Sequence, residues 1–322
     1  MRILITGGTG FLGAELARLL VARGDEVVLF DLAPNLVRIS DFKDDVKLIH
    51  GNLAYASEVY NAARDNHVER IAHLGSMLSV PSNANPWASF QVNVVGTMNV
   101  LEAARLFGIE QVLFCSTLAT YGIGCGTTAT DETIQRPTTM YGSGKLYGES
   151  LGRFYRTRFG LDFRSVRFPS VMGPGAKVKH VSQYNAWMVE YPALGKPFEC
   201  FVAEGTKSPA IYFKDAVRAL DMVCRVPRES IETVNYNVAG IAPTPTAKEL
   251  EQAVRKHVPG AVVTYAPEPA IMEYYKTMRI EVMDDSRARQ EWGWSAQYSN
   301  LDATVQDFLE EMRNNPARYG LE

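Results

Sequence analysis

Two rhythms of apolar residues alternate along the first half of the chain. Short, unbroken, β-branched runs at Ile3–Thr6, Glu26–Asp31, Val46–Ile49, Arg70–Leu74, Gln111–Cys115 and Asp162–Arg167 predict strands. Between them Phe11–Arg23, Ser57–Asn66, Trp87–Phe107 and Met140–Phe159 place apolar residues at helical spacing, as Leu12, Leu16, Leu19 and Leu20 do in the first. Strands without polar alternation are covered on both faces. With right-handed crossovers the pattern predicts an α/β fold, a doubly wound parallel Rossmann sheet.

Beyond Arg167 the rhythm changes. Pro169, Gly173, Pro174 and Gly175 open a less regular stretch to Pro209, followed by a strand–helix signal at Ile211–Arg225 and a strand at Val234–Val238. From Thr244 the chain reads as mostly helical, with one strand at Val262–Tyr265. The expected organisation is a dinucleotide-binding domain over 1–170 that also receives about 209–240, with 171–208 and 241–322 forming a smaller, mostly helical substrate lobe.

Composition narrows the partners. A net charge of −3 over 322 residues gives no electrostatic reason to expect nucleic acid or an anionic membrane. No apolar run reaches the ~18–20 residues that span a bilayer. The four cysteines show no paired spacing and the five histidines no ligand cluster, so a cytoplasmic protein without a metal is expected.

Thr6-Gly-Gly-Thr-Gly-Phe-Leu-Gly13 joins the first strand to the first helix. Its glycines allow a tight turn and bring backbone N–H groups against a pyrophosphate at a helix N-terminus. Gly7, Gly10, Phe11, Leu12 and Gly13 are the expected contacts. Asp31 ends the second strand, at the spacing for a carboxylate on the adenosine ribose, and would repel a 2′-phosphate; NAD is therefore expected over NADP. Asn52, beside Leu53, either meets the adenine or closes a turn.

Tyr141-Gly-Ser-Gly-Lys145 places a phenol and an ammonium one helical turn apart, after the fifth strand. A phenol with a reference pKa of ~10 needs about 4 kcal/mol of help to act as a base near neutrality. The Lys145 ammonium and a positively charged nicotinamide would both act in that direction. Ser116 and Thr117, ending the fifth strand, offer a hydroxyl for the reacting oxygen, Thr117 being preferred.

Together these stretches resemble the extended short-chain dehydrogenase/reductase superfamily, which includes NAD-dependent epimerases and dehydratases. The resemblance extends through His73–Ser76, Asn93–Thr97, Arg167–Pro174 and Asp284–Trp294. It implies Thr117, Tyr141 and Lys145 as catalytic trio, with Leu74, Gly75, Ser76, Pro169 and Val171 along the cofactor. Asn93 would support the lysine through a helix distortion or a water. A homodimer built on the Trp87–Phe107 and Met140–Phe159 helices is also implied.

Within the superfamily, Ile134–Pro137, Phe159–Pro169, Phe198–Cys200, Tyr236–Gly240 and Lys256–Tyr265 look most similar to the short-chain type of L-threonine 3-dehydrogenase. The substrate positions implied are Ser79, Ser116, Thr117, Ser182 and Arg279. Three stretches around them depart from that type: Leu78–Asn83, Lys177–Tyr184 and Arg279–Ile280.

The leading expectation is NAD-dependent oxidation of a secondary alcohol on a small polar substrate. A nucleotide-sugar epimerase or dehydratase is the alternative, with Lys207 and Arg279 as candidates for a diphosphate; Leu118-Ala119-Thr120 lacks the acidic pair usual in dehydratases. A non-catalytic NAD-sensing protein is the third.

Overall fold

The computed structural model describes residues 1–321. Seven strands form the central sheet: β1 (Arg2–Thr6), β2 (Glu26–Asp31), β3 (Val46–His50), β4 (Arg70–His73), β5 (Gln111–Thr117), β6 (Asp162–Phe168) and β7 (Asn235–Asn237). Their order is β7-β6-β5-β4-β1-β2-β3, and every pairing is parallel. The winding direction reverses between β1 and β4, which opens a crevice at their carboxyl ends. The sequence-predicted strands coincide with the first six, because full burial on both faces leaves an unbroken apolar signature: Leu4, Ile5, Leu29, Phe114, Phe163 and Val166 are completely buried or nearly so.

Helices Phe11–Ala22 and Phe213–Arg225 pack together on one face, while Ala56–Asp65, Gly96–Phe107 and Met140–Phe159 cover the other. β7 re-enters the sheet beside β6 after an excursion of the chain through the smaller lobe. That lobe has its own core, built on Tyr184, Met188, Phe201, Tyr212, Leu250 and Phe308. Phe11, from the glycine turn, packs into this second core, 5.9 Å from the Phe213 ring.

Two expectations are corrected. The stretch read as one helix over Trp87–Phe107 is a short helix at Pro86–Ser89, a π-helical segment at Phe90–Val95 and an α-helix at Gly96–Phe107. The widened turn lets Asn93 leave the helix surface and bond to a neighbouring loop. The less regular stretch also holds two short strands that were not expected, Ser170–Met172 and Phe198–Cys200; they pair in parallel with Ala210–Tyr212 and Val263–Tyr265, where strand signals were expected. A further parallel ladder pairs Val282–Met283 with Thr128–Ala129. Runs of two or three residues are too short to carry a period; distant pairing makes them strands.

Candidate active site

The crevice is floored by the glycine turn. Gly7 adopts φ +65°, and a Cβ there would stand 2.8 Å from Gly75 Cα, so the turn and the loop after β4 touch backbone to backbone. A Cβ on Gly13 would meet Gly7 O at 2.1 Å. The helix that follows has no side-chain cap and no acidic residue in its first turn, leaving its first N–H groups and positive dipole end free for an anion. Asp31 is tethered at one oxygen by the Thr9 N–H at 3.0 Å and the Thr9 hydroxyl at 2.7 Å. Its other oxygen accepts only a longer contact from Ala33 N, at 3.2 Å. A glycine cradle, an uncapped helix and a fixed carboxylate at this spacing fit a dinucleotide with free ribose hydroxyls.

Leu53 supplies an apolar wall, in contact distance of both Gly75 and Gly96. Asn52 is drawn into a turn: its Oδ1 accepts from Ala54 N at 2.9 Å. Pro169 is buried between β6 and Ser170–Met172, and Val171 packs against both cores.

The Met140–Phe159 helix begins with two caps, Thr139 accepting from Gly142 N and Asn83 from Met140 N, both at 3.0 Å. These fix the direction in which Tyr141 enters the crevice. The Thr117 and Ser76 hydroxyls both act on the Tyr141 phenol and favour its ionised form, but burial outweighs them and raises its pKa well above the ordinary value. Lys145 is 3% exposed. Its Nζ donates to Cys115 O at 2.7 Å and lies 5.8 Å from the Tyr141 ring, while burial pulls its pKa down. The expectation was that Lys145 and a positively charged nicotinamide together ease phenol ionisation; in the fold the Lys145 ammonium is drawn to a strand carbonyl. Two of its three protons remain for a ligand.

Ser116 is also corrected. Residues 116 and 117 point to opposite faces of β5, and Ser116 donates to Glu149. Glu149 is fully engaged by a bidentate ion pair with Arg167, at 2.9 and 2.7 Å, and Arg167 also donates to Tyr121 Oη. This buried network ties the Met140–Phe159 helix to β6. Asn93 accepts from Met77 N at 2.8 Å and donates to Met77 O at 3.0 Å. It clamps the loop carrying Ser76 and makes no hydrogen bond to Lys145.

Of the remaining substrate positions, Ser79 is buried at the start of a short helix, Ser79–Ala84, beneath the same loop. Ser182 lies 3.3 Å from His180 Nδ1, in a segment that Tyr275 Oη holds by donating to Val181 O. Burial lowers the His180 pKa to about 4, so its imidazole is neutral. Arg279 is exposed, between Met278 and Ile280, which turn inward. Sequence reasoning missed Tyr274. It packs against the small cluster of Tyr121, Met278, Ile280 and Met283 and acts electrostatically on Tyr141; only its place in the folded lobe reveals this.

A family model described as the NAD dependent epimerase/dehydratase family matches residues 3–239. The mitochondrial L-threonine 3-dehydrogenase of Bos taurus is 33% identical over 299 residues, covering 91% of this chain and 78% of the relative. The holo form of a GalE-like L-threonine dehydrogenase from Cupriavidus necator superposes with a TM-score of 0.89 at 29% identity, covering 97% of this chain and 100% of that one. L-threonine dehydrogenase from Phytophthora infestans gives a TM-score of 0.88 at 31% identity, with 97% and 100% covered.

Proposed function

The chain belongs to the NAD-dependent epimerase/dehydratase family, and on that premise we propose that it is an NAD-dependent dehydrogenase of the L-threonine 3-dehydrogenase type. Its substrate is L-threonine or a small hydroxy compound like it, oxidised at a secondary alcohol. The observation that carries this reading is the grouping of the Thr117, Ser76 and Tyr141 hydroxyls, one turn from Lys145, at the sheet edge beside the glycine turn.

Bound NAD supplies the hydride acceptor and a positively charged ring. Around it the chain's own groups divide the work. Thr117 and Ser76 orient the carbinol oxygen. Tyr141 takes its proton as the carbon becomes a carbonyl. Lys145, with two uncommitted protons, holds ribose hydroxyls and steadies phenolate charge. Asn93 and the two caps keep the phenol and Ser76 in place, so little reorganisation is needed at the reactive moment.

The epimerase alternative requires cations for a diphosphate. Lys207 is paired with Glu281 at 2.8 Å and Arg279 faces solvent, so neither favours it. A cytoplasmic setting accords with four unpaired cysteines. No helix of the described residues is long and apolar enough to cross a membrane.

Tyr141→Phe tests the reading. Calorimetry should show NAD affinity retained, while turnover falls at least ~100-fold; near wild-type turnover would contradict the role of the phenol.

A further inference from the structure

One buried group near the crevice has no part in the mechanism above. His73, at the end of β4, is 1% exposed. Its Nδ1 lies 2.7 Å from Thr6 Oγ1 and its Nε2 3.1 Å from Thr97 Oγ1. Neighbouring bonds assign every proton. Thr97 gives its only hydroxyl proton to Asn93 O, at 2.7 Å, so its oxygen accepts from His73 and Nε2 carries the ring proton. Nδ1 is then a bare acceptor for the Thr6 hydroxyl, whose oxygen in turn accepts from Gly75 N at 3.1 Å. The ring is held neutral as well: burial and the Lys145 ammonium lower its pKa to about 3.

The result is one directed chain of hydrogen bonds, Gly75 to Thr6 to His73 to Thr97 to Asn93. It starts on the glycine pressed against Gly7, at the phosphate-binding turn. It ends on the π-helical segment whose Asn93 side chain grips Met77 by both backbone groups. The loop between these ends is Gly75-Ser76-Met77, so the chain and the clamp hold it from both sides.

We propose that His73 and Thr97 are positioning residues of the cofactor site. Through one fixed imidazole tautomer they lock the Gly75–Met77 loop to the Asn93 turn, so that the dinucleotide meets a loop already in place. Neither residue touches the reacting atoms. The proposal rests on dinucleotide binding and not on which alcohol is oxidised, so it survives if threonine proves not to be the substrate.

Thr97→Val keeps the shape and removes the hydroxyl. It leaves the His73 N–H unpaired and frees Asn93 O, at a point beyond the loop. Equilibrium titration with NAD should show affinity weakened about tenfold, the effect of one lost buried hydrogen bond, with Thr97→Ser restoring it to within about twofold. A purely structural role would lower Tm and leave the affinity of the folded protein alone; unchanged NAD affinity in Thr97→Val overturns the proposal. A wild-type measurement stands beside it should the variant fold poorly. Nitrogen-15 NMR of the imidazoles should show His73 as the neutral Nε2–H tautomer throughout pH 6 to 8. An Nδ1–H tautomer, or an ionisation near the ordinary histidine value of ~6.5, would also overturn it.

Discussion

At the scale of single residues, local chemistry and tertiary placement separate cleanly. Gly7, Asp31, Tyr141 and Lys145 were legible because their signal is a spacing within one short segment, and the fold brings those segments to one edge. Ser116, which turns to Glu149, was misread, and the turn that Asn52 closes was one of its two readings. Which face of a strand a hydroxyl takes, and whether an amide oxygen is already used by its own turn, depends on neighbours distant in sequence or on exact backbone geometry. His73 shows what such neighbours impose. Its pKa is about 3 in the fold against ~6.5 unfolded. Between those values the unfolded chain binds a proton that the fold excludes, so stability is full above the upper value and is lost as pH falls toward the lower. The slope from this one group approaches about 1.4 kcal/mol per pH unit. Urea unfolding at pH 7, 6 and 5 should show that slope reduced in His73→Gln relative to wild type. Equal slopes would mean that His73 titrates normally.

At the scale of elements, the Met140–Phe159 helix sets the site by its glycines as much as by Tyr141 and Lys145. Gly144, Gly148 and Gly152 recur every fourth residue and so form one stripe. A Cβ on Gly148 would stand 2.5 Å from Phe114 Cζ, and one on Gly152 2.1 Å from Phe163 Cζ. Gly148 and Gly152 let the helix lie closely against β5 and β6, where Lys145 reaches Cys115 O, while Gly144 faces Asn93 of the π-helical segment. The helix itself was readable from periodicity, and the stripe lies in the same residues. The π-helical segment has no periodic signature; a distortion at Asn93 was implied only by the resemblance, and Asn93 meets Met77 only in the fold. Gly152→Ala ought to gain about 1 kcal/mol of helix propensity yet lose more, about 1–3 kcal/mol, to overpacking. A net fall in Tm by differential scanning calorimetry is expected, and a rise would show that the helix–sheet contact is slack.

At the scale of the whole molecule, the two helices that frame the site leave apolar side chains uncovered. Trp87 is 71% and Phe154 53% exposed, with Met98 and Phe159 beside them. Tyr155 bridges the helices through Glu102 and meets Met98, and Phe154 packs on Phe159, so Met98, Phe154 and Phe159 share one surface. A second copy of the chain packed on this surface is the assembly we propose. Sedimentation equilibrium at low micromolar concentration should give twice 35.7 kDa, and Phe154→Glu should reduce it to a monomer; a monomeric wild type would contradict the assembly. The doubly wound parallel sheet, the smaller helical lobe and its strand at Val262–Tyr265 were legible from the apolar pattern, whereas the order of the strands and the partners of the short ladders, set by segments distant in sequence, were not. The smaller lobe carries Tyr274 and the Lys177–Tyr184 segment. The central claim is hydride transfer from a secondary carbinol to NAD beside Tyr141, and isotope transfer tests it most directly. L-threonine deuterated at C3, incubated with NAD and the protein, should yield NADH carrying one deuterium by mass spectrometry. Failure to form labelled NADH from threonine, with interconversion of a UDP-hexose by the same preparation, would contradict the account.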